Sequence, residues 1–557
     1  MNTPAFDLIV VGSGAAGLCA AAVAAVEGLR VLVVDSAVQV GGTTAISGGM
    51  VWVPANAHMA RAGLSDSLDA ARTYLDHAAP PGDDAAVREA FLTRGAEAIN
   101  YLEQHTALRL RPVLRYPDYH PALPGASAGG RVLEPVPFDA RVLGRHFASL
   151  RPPLPEFTLF GGMMVGRADI PHLRHAARSP RSAWRVARLL ARHAVERMRA
   201  PRGTTLQLGN ALVARLLKSM LDRGVTLRLG TQVTRLTQDG DRITGVEVEG
   251  GAGAELLLAR RGVVLASGGL SQDATLRQRY LPIAAGTLSA TAPTLAHNSG
   301  AALAQSVGAA LSSGTERSAF WVPASTFTRA DGTPGIFPHT VTDRGKPGLI
   351  AVDGQGRRFV NEALSYHGFV LGQLRAGAVP AWLVCDRRFL WKYGLGCIQP
   401  FTLSTAHHVA SGNLKRASTL TGLALAMGVP AANFEATVAR FNADARQGLD
   451  SEFGRGSDIY QRHLGDADHQ PNPCVAPIEE APFHAVAVWP ADLGMAAGIV
   501  TDACARVLSA SGAPVAGLWA CGNDMQSVMN GAYPGPGITL GPALVFGYIA
   551  ARDAARP

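Results

Sequence analysis

Cysteine is scarce in this chain, and charge is thin. Six cysteines are scattered over 557 residues, at Cys19, Cys385, Cys397, Cys474, Cys504 and Cys521. No two form a Cys-x-x-Cys pair, so neither a disulfide framework nor a thiolate metal site is indicated, and a reducing cytoplasm suits the pattern. Charged residues make up 17% of the chain and hydrophobic ones 47%, the balance of a globular protein with a large interior rather than of a disordered one. Internal repeats and low-complexity tracts are missing. The apolar stretch from Leu8 to Val34 has the length to span a bilayer, but Glu27, Arg30 and its glycines divide it into strand, helix and strand. Six residues stand before that first strand and none is basic, which argues against a signal peptide. A chain this long exceeds one ordinary core, so at least two domains are expected.

What is present begins with a nucleotide signature. Asp7 to Val11 reads as a short apolar strand, followed by Gly12-Ser13-Gly14-Ala15-Ala16-Gly17 and an Ala-rich helix reaching about Glu27. A second strand, Arg30 to Val34, ends at Asp35 and Ser36, roughly twenty residues past the glycines, where a Rossmann unit places its ribose-binding acid. The next segment, Gly41-Gly42-Thr43-Thr44-Ala45-Ile46-Ser47-Gly48-Gly49, is a second glycine-rich loop carrying hydroxyls. That favours FAD over NAD, because a long pyrophosphate and ribityl chain can lie across it.

Near the other end, Tyr533 sits in a Gly- and Pro-rich turn four residues before Gly537, and the apolar stretch from Leu540 through Ile549 reads as a helix. A phenol and a free backbone N–H are thereby presented together at a helix N-terminus. Unpaired donors and the positive end of the macrodipole there favour an oxygen that is acquiring negative charge. A ketone about to become an enolate would be bound in this way.

The net charge is +8, with much of the excess between residues 141 and 202. Arg181, Arg185, Arg188, Arg192 and Arg199 share one helical face, while Trp184, Ala187, Ala191, Val195 and Met198 line another. Such a helix suits a solvated or subunit-contact face, with peripheral contact to an anionic membrane as the alternative. No nucleic-acid motif accompanies the charge.

In between, Leu206 to Leu221 resembles a helix leading to a strand at Val225 to Leu229, and a hairpin turns around Asp239-Gly240-Asp241, with Val233 on its first strand. Val263 to Ala266 ends in Ser267-Gly268-Gly269, a strand and turn returning to the cofactor. The segment from 286 to 490 is richer in Trp, Tyr and Pro and reads as an inserted substrate domain. The strand Gly517 to Cys521 and the turn Gly522-Asn523-Asp524 then rejoin the first domain. The expected architecture is α/β: a Rossmann-like FAD-binding domain over 1–285 and 491–557, with a basic helical insertion at about 140–205, and a mixed α+β catalytic domain over 286–490.

The order of glycine loop, Gly41-Gly42-Thr43, Ser267-Gly268-Gly269, Gly522-Asn523 and Tyr533-Pro534-Gly535-Pro536-Gly537 resembles the FAD-dependent 3-ketosteroid dehydrogenases, in the wider fumarate reductase flavoprotein superfamily, over nearly the whole chain. The resemblance implies desaturation of a ring ketone, most often a 3-ketosteroid at C1–C2, with hydride leaving for flavin N5. Small cyclic ketones and 4,5-desaturation of a 5α-steroid are the alternatives. It also implies that Tyr533 and Gly537 polarise the carbonyl. Tyr366, in Arg358-Phe359-Val360-Asn361-Glu362-Ala363-Leu364-Ser365-Tyr366, takes the α-proton, and Tyr119, in Pro117-Asp118-Tyr119, assists it, with Tyr116 in reserve. Ala266, Thr539 and Leu540 join the expected FAD contacts, no metal is expected, and electrons pass to an external quinone, dye or oxygen. Fumarate reductases carry a His-Thr-Met-Gly-Gly-like segment where this chain has Ala491-Asp492-Leu493-Gly494-Met495, and an acid at Asp492 is expected to repel a dicarboxylate.

Overall fold

The computed structural model describes residues 6–79, 82, 85–251, 253–281, 287–293, 299–313 and 317–556. Two sheets organise them. In the first, of eight strands, Phe6–Val11 is central, its apolar run paired in parallel with Val31–Val34 on one side and with the end of Gly253–Leu265 on the other. Near-continuous Val, Leu and Ile suit strands covered on both faces, and the helix Ala15–Val26 is correspondingly buried for most of its length. Thr226–Arg228 extends the sheet beyond Val31–Val34, and Pro514–Ala520 returns from the far end of the chain to pair in parallel with Val263–Leu265.

The sequence suggested only a four-residue strand at Val263 to Ala266, yet Gly253–Leu265 runs for 13 residues. Its first half pairs antiparallel with Arg242–Gly250, which pairs antiparallel with Thr231–Asp239. Its second half joins the parallel part of the sheet. Gly262 allows the change: its φ is +131°, and a Cβ there would lie 2.0 Å from the Gly517 carbonyl oxygen.

The seven-stranded second sheet is built around Phe483–Met495, flanked by Ala319–Thr328 and Ala381–Cys385 and continued by Pro334–Pro338 and Leu349–Val352 at its edges. The boundary expected at residue 490 falls inside this central strand.

The basic helix is Pro180–Arg197, with the Ser179 side chain accepting the Ser182 N–H at its start. It attaches through a narrow third face, Ser182, Leu189 and His193, and His193 Nε2 bonds the Phe160 carbonyl at 3.0 Å. The apolar row read from the sequence therefore stays outside: Trp184 is 73% exposed and Met198 76%. No helix among the described residues is long and apolar enough to cross a membrane, and no group of three or more His, Cys, Asp or Glu among them could hold a metal ion.

A buried ion network fixes the segment before Tyr366. Arg358 forks onto Glu362 at 2.8 and 2.9 Å and onto Asp450 at 2.8 and 2.9 Å, while Arg455 reaches Glu362 at 3.2 Å. All four side chains are buried. Removing one partner leaves uncompensated charge in a low-dielectric interior, at a cost of about 3–5 kcal/mol. Arg358→Met is accordingly expected to lower the urea midpoint of the FAD-loaded protein by an amount equivalent to about that energy. A midpoint equal to wild type would remove the network from the list of what holds the second sheet together.

Candidate active site

A cavity of about 1170 Å³ is lined by loops from both sheets. At one end lie the glycine loops. All the cofactor residues expected from the sequence line it except Gly17. Gly17 serves packing instead: a Cβ on it would sit 2.0 Å from the Gly12 carbonyl oxygen, so the helix can lie against the strand only because that Cβ is missing. Gly12 has φ +107°, and its Cβ would meet the Ala266 carbonyl oxygen at 2.2 Å, which brings the first loop against the turn after Leu265. Asp35 accepts from the Ser13 N–H at 2.7 Å and from its hydroxyl at 2.5 Å, and the Thr44 hydroxyl accepts the Ala15 N–H at 3.1 Å. The first turn of the helix is thus held facing the cavity, with its N-terminal field available to a pyrophosphate.

Asp524 was not singled out by the sequence, although it directly follows Gly522-Asn523. It is fully buried and accepts from the Ser267 N–H, the Ser267 hydroxyl at 2.9 Å and the Gly269 N–H at 2.9 Å. Burial raises its pKa, and those donors counter the rise. Arg151, another residue without a sequence signal, lines the cavity close enough to Asp35 for their charges to interact. The glycine cradle, the acid and the helix N-terminus together fit FAD.

Beyond the loops, the three expected tyrosines meet. Ring centroids of Tyr366 and Tyr533 are 4.9 Å apart, those of Tyr119 and Tyr366 5.7 Å, and those of Tyr119 and Tyr533 5.8 Å. They come from separate parts of the chain. Tyr366 opens the helix Tyr366–Arg375, whose N-cap Ser365 accepts the Gly368 N–H at 3.1 Å. The Arg344 guanidinium holds the Glu362 and Leu364 carbonyls just before it, at 3.0 and 3.2 Å. Tyr119 and Tyr533 are joined through the Pro534 carbonyl, which accepts the Tyr119 N–H at 2.9 Å and the Tyr74 hydroxyl at 2.5 Å. Trp52, under the same turn, donates to Asp118 at 2.8 Å, and Arg131 does so at 2.8 Å.

Gly537 lines the cavity with φ +95°, and a Cβ there would lie 2.6 Å from the Met50 backbone. Its carbonyl accepts from Trp52 and Gly541, while no acceptor among the described residues takes its N–H. The helix that follows is Leu540–Ala554. Burial raises the pKa of every phenol in the cluster, Tyr533 to about 12 and Tyr366 and Tyr119 well above the ordinary value. Neighbouring hydroxyls pull both ways: Tyr533 raises Tyr366 further while Tyr119 lowers it, and Tyr366 and Thr539 lower Tyr533 while Tyr116 raises it. The buried Tyr119 hydroxyl has no hydrogen-bond partner among the described residues, nor has that of Tyr460, a ring 4.7 Å from Tyr119 with no sequence signal of its own. Tyr116 also lines the cavity and stacks on His463 at 4.5 Å.

Asp492 requires a correction. It is fully buried, paired with Arg277 and accepting from Ser289 at 3.3 Å, while its neighbour Leu493 is the one that lines the cavity. Along a strand successive side chains point to opposite faces, so its charge is turned away and compensated, and it says nothing about which substrates are repelled.

A glycine cradle shaped for a dinucleotide, opening onto clustered phenols and one unspent amide, defines a flavin-binding oxidoreductase. The FAD binding domain family matches residues 7–540. The chain belongs to this family, and it is an FAD-dependent dehydrogenase. It is 39% identical to a 4-oxocyclohex-2-ene-1-carboxylate 5-dehydrogenase of Sinomonas cyclohexanicum, over 100% of this chain and 94% of the relative. It is 37% identical to a 3-oxosteroid 1-dehydrogenase of Mycobacterium tuberculosis, over 99% of this chain and 98% of the relative. The solved 3-ketosteroid delta1-dehydrogenase of Sterolibacterium denitrificans, in complex with 1,4-androstadiene-3,17-dione, superposes with a TM-score of 0.91 at 38% identity, over 99% of this chain and 100% of that one.

Proposed function

We propose that the protein introduces a carbon–carbon double bond beside the carbonyl of a ring ketone, with a 3-ketosteroid at C1–C2 as the leading substrate. The observation that carries this is the convergence of Tyr366, Tyr533 and Tyr119 with a free Gly537 N–H in the cavity that the glycine loops open into. Tyr533, kept protonated by a pKa of about 12, and the Gly537 N–H donate to the ketone oxygen as negative charge builds on it. An α-proton made acidic in this way needs a strong base, and the Tyr366 oxygen takes it. Tyr119, with its hydroxyl otherwise unpartnered, donates to that oxygen and stabilises the phenolate. The glycine loops would hold FAD, which when bound would supply the hydride acceptor for the adjacent carbon, with an external quinone, dye or oxygen as the final electron acceptor. On this account the first sheet and its loops hold the cofactor, and the second sheet with Tyr366 closes over the substrate.

A second reading, desaturation of a smaller cyclic ketone, is favoured by the 39% identical relative, which is named for an oxocyclohexene carboxylate. Anaerobic mixing with a saturated 3-ketosteroid and, separately, with a substituted cyclohexanone tests both. Bleaching of the flavin by either ring is expected, and Tyr533→Phe should slow it about a hundredfold or more with FAD still bound. Failure of every ring ketone to bleach the flavin would end the proposal, and a near-normal rate in Tyr533→Phe would end that residue's role.

The exposed face of Pro180–Arg197 supports peripheral contact with an anionic bilayer. Its apolar row is flanked by arginines, and the opposite side of the helix, through Val186, lines the cavity. Exchanging Arg181, Arg188 and Arg192 for Glu is expected to abolish co-sedimentation with phosphatidylglycerol vesicles. Equal binding by the variant, or no binding by the wild type, would show that the face is merely solvated.

A further inference from the structure

The substrate side of the cavity carries more positive charge than its acids neutralise. Of the acids that line the cavity, Glu156 is already held by Arg329 at 2.7 Å. Three cations line the same wall: Arg167, Arg174 and Lys346. Among the described residues, neither Arg167 nor Arg174 forms an ion pair with a carboxylate. The Arg167 guanidinium lies over the Tyr116 ring, 4.6 Å from its centroid, with one nitrogen 3.4 Å from His463 Nε2. Arg174 lies over Tyr393 at 5.9 Å.

Lys346 is buried, with its ammonium donating to the Leu464 and Gly465 carbonyls at 2.6 Å each, which leaves one of its three donors. Two acids attract it, and both are held elsewhere: Asp466 by Lys392 and the Tyr393 hydroxyl, each at 2.6 Å, and Asp343 by His339 at 2.6 Å.

These groups repel one another. Burial, with the Arg174 charge behind it, lowers Lys346 to about 8, and burial together with Arg167 and Lys346 lowers His463 to about 4, so that the imidazole is neutral at pH 7. Like charges gathered in a partly dry wall are unfavourable unless something neutralises them. Stacking on Tyr116 holds the Arg167 guanidinium in place, and a guanidinium so held presents two parallel N–H groups to a planar anion.

We propose that Arg167, supported by Arg174 and Lys346, binds a carboxylate carried by the ring-ketone substrate, so that the enzyme selects keto acids over neutral ketones. This rests on the ring-ketone reading above. Tyr116, which interacts with the Tyr119 hydroxyl and carries Arg167 over its ring, links the cluster to the phenols. The carboxylate would anchor the substrate at its far end while Tyr533 and the Gly537 N–H hold the oxygen.

The test compares each acid with its own methyl ester in two ring sizes: 4-oxocyclohexane-1-carboxylate, and 3-oxopregn-4-ene-20-carboxylate. The wild-type enzyme is expected to prefer the acid over the ester in kcat/KM by about tenfold to a hundredfold in at least one pair, the size of one charge-assisted contact, and that pair reports how far the anion lies from the ketone. In Arg167→Met and in Arg174→Met the acid-to-ester ratio should collapse toward one, while Arg167→Lys should retain part of it. Equal kcat/KM for acid and ester in both pairs, or a full preference surviving in both Met variants, would overturn the subsite. If esters and acids alike failed to reduce the flavin, the ring-ketone reading would fall. The subsite would then be judged by calorimetric binding of the two acids to the holoenzyme: binding lost in Arg167→Met would uphold it, and binding unchanged there would end it.

Discussion

The proposed active site depends on the carbonyl oxygen of Pro534. One oxygen receives the Tyr119 N–H and the Tyr74 hydroxyl, and it lies one residue after Tyr533 and three before Gly537. A single acceptor therefore fixes a loop from near residue 119 against the turn that carries both the phenol and the amide proposed to hold the ketone. Trp52, Asp118 and Arg131 make the same connection from below, through buried charge-assisted hydrogen bonds. Because those groups are out of water, the arrangement is costly to loosen, and the phenols above it inherit that rigidity.

Burial acts twice in this cavity, with opposite uses. It raises the phenol pKa values, which keeps Tyr533 a donor and makes the Tyr366 oxygen, once deprotonated, a strong base. It also strengthens every hydrogen bond to charge that develops on a bound ketone. The same dryness makes the Arg358, Glu362, Asp450 and Arg455 network both effective and unforgiving, and that network sets where Tyr366 begins its helix. The proposed catalytic geometry on the second sheet is thus supported by salt bridges, and on the first sheet by glycines that let backbone approach backbone.

The nucleotide half was legible because its rules are local. Alternation of strand, glycine turn, helix and acid depends on backbone sterics within some thirty residues, and Gly12 through Asp35 took the expected form. Tyr533 and Gly537 were legible for the same reason: a Gly- and Pro-rich turn before an apolar helix dictates its own geometry. Tyr366 and Tyr119 were reachable only through likeness to a family, since nothing local says that residues so distant in sequence share a cavity. Tyr460, Arg151 and the cations at Arg167 and Arg174 carry no local pattern, because long-range packing alone brings them to the cavity or its phenols. The face by which Pro180–Arg197 attaches was likewise hidden: its pattern shows an apolar row, but the row that is buried is the one the cavity wall needs. Asp492 misled because strand alternation, not proximity in sequence, decides which side chain faces a site.

The central claim is that a phenolate at residue 366 removes the α-proton of a ketone held by Tyr533 and the Gly537 N–H. Its most direct test is the anaerobic rate of flavin reduction by a neutral ring ketone, followed across pH 6 to 10 in the wild type and in Tyr366→Phe. Burial raises the Tyr366 pKa above the ordinary value of about 10, so the fraction of active base, and with it the wild-type rate, should climb throughout that range. The variant should be slow and flat. A variant that kept the wild-type rise would contradict the account.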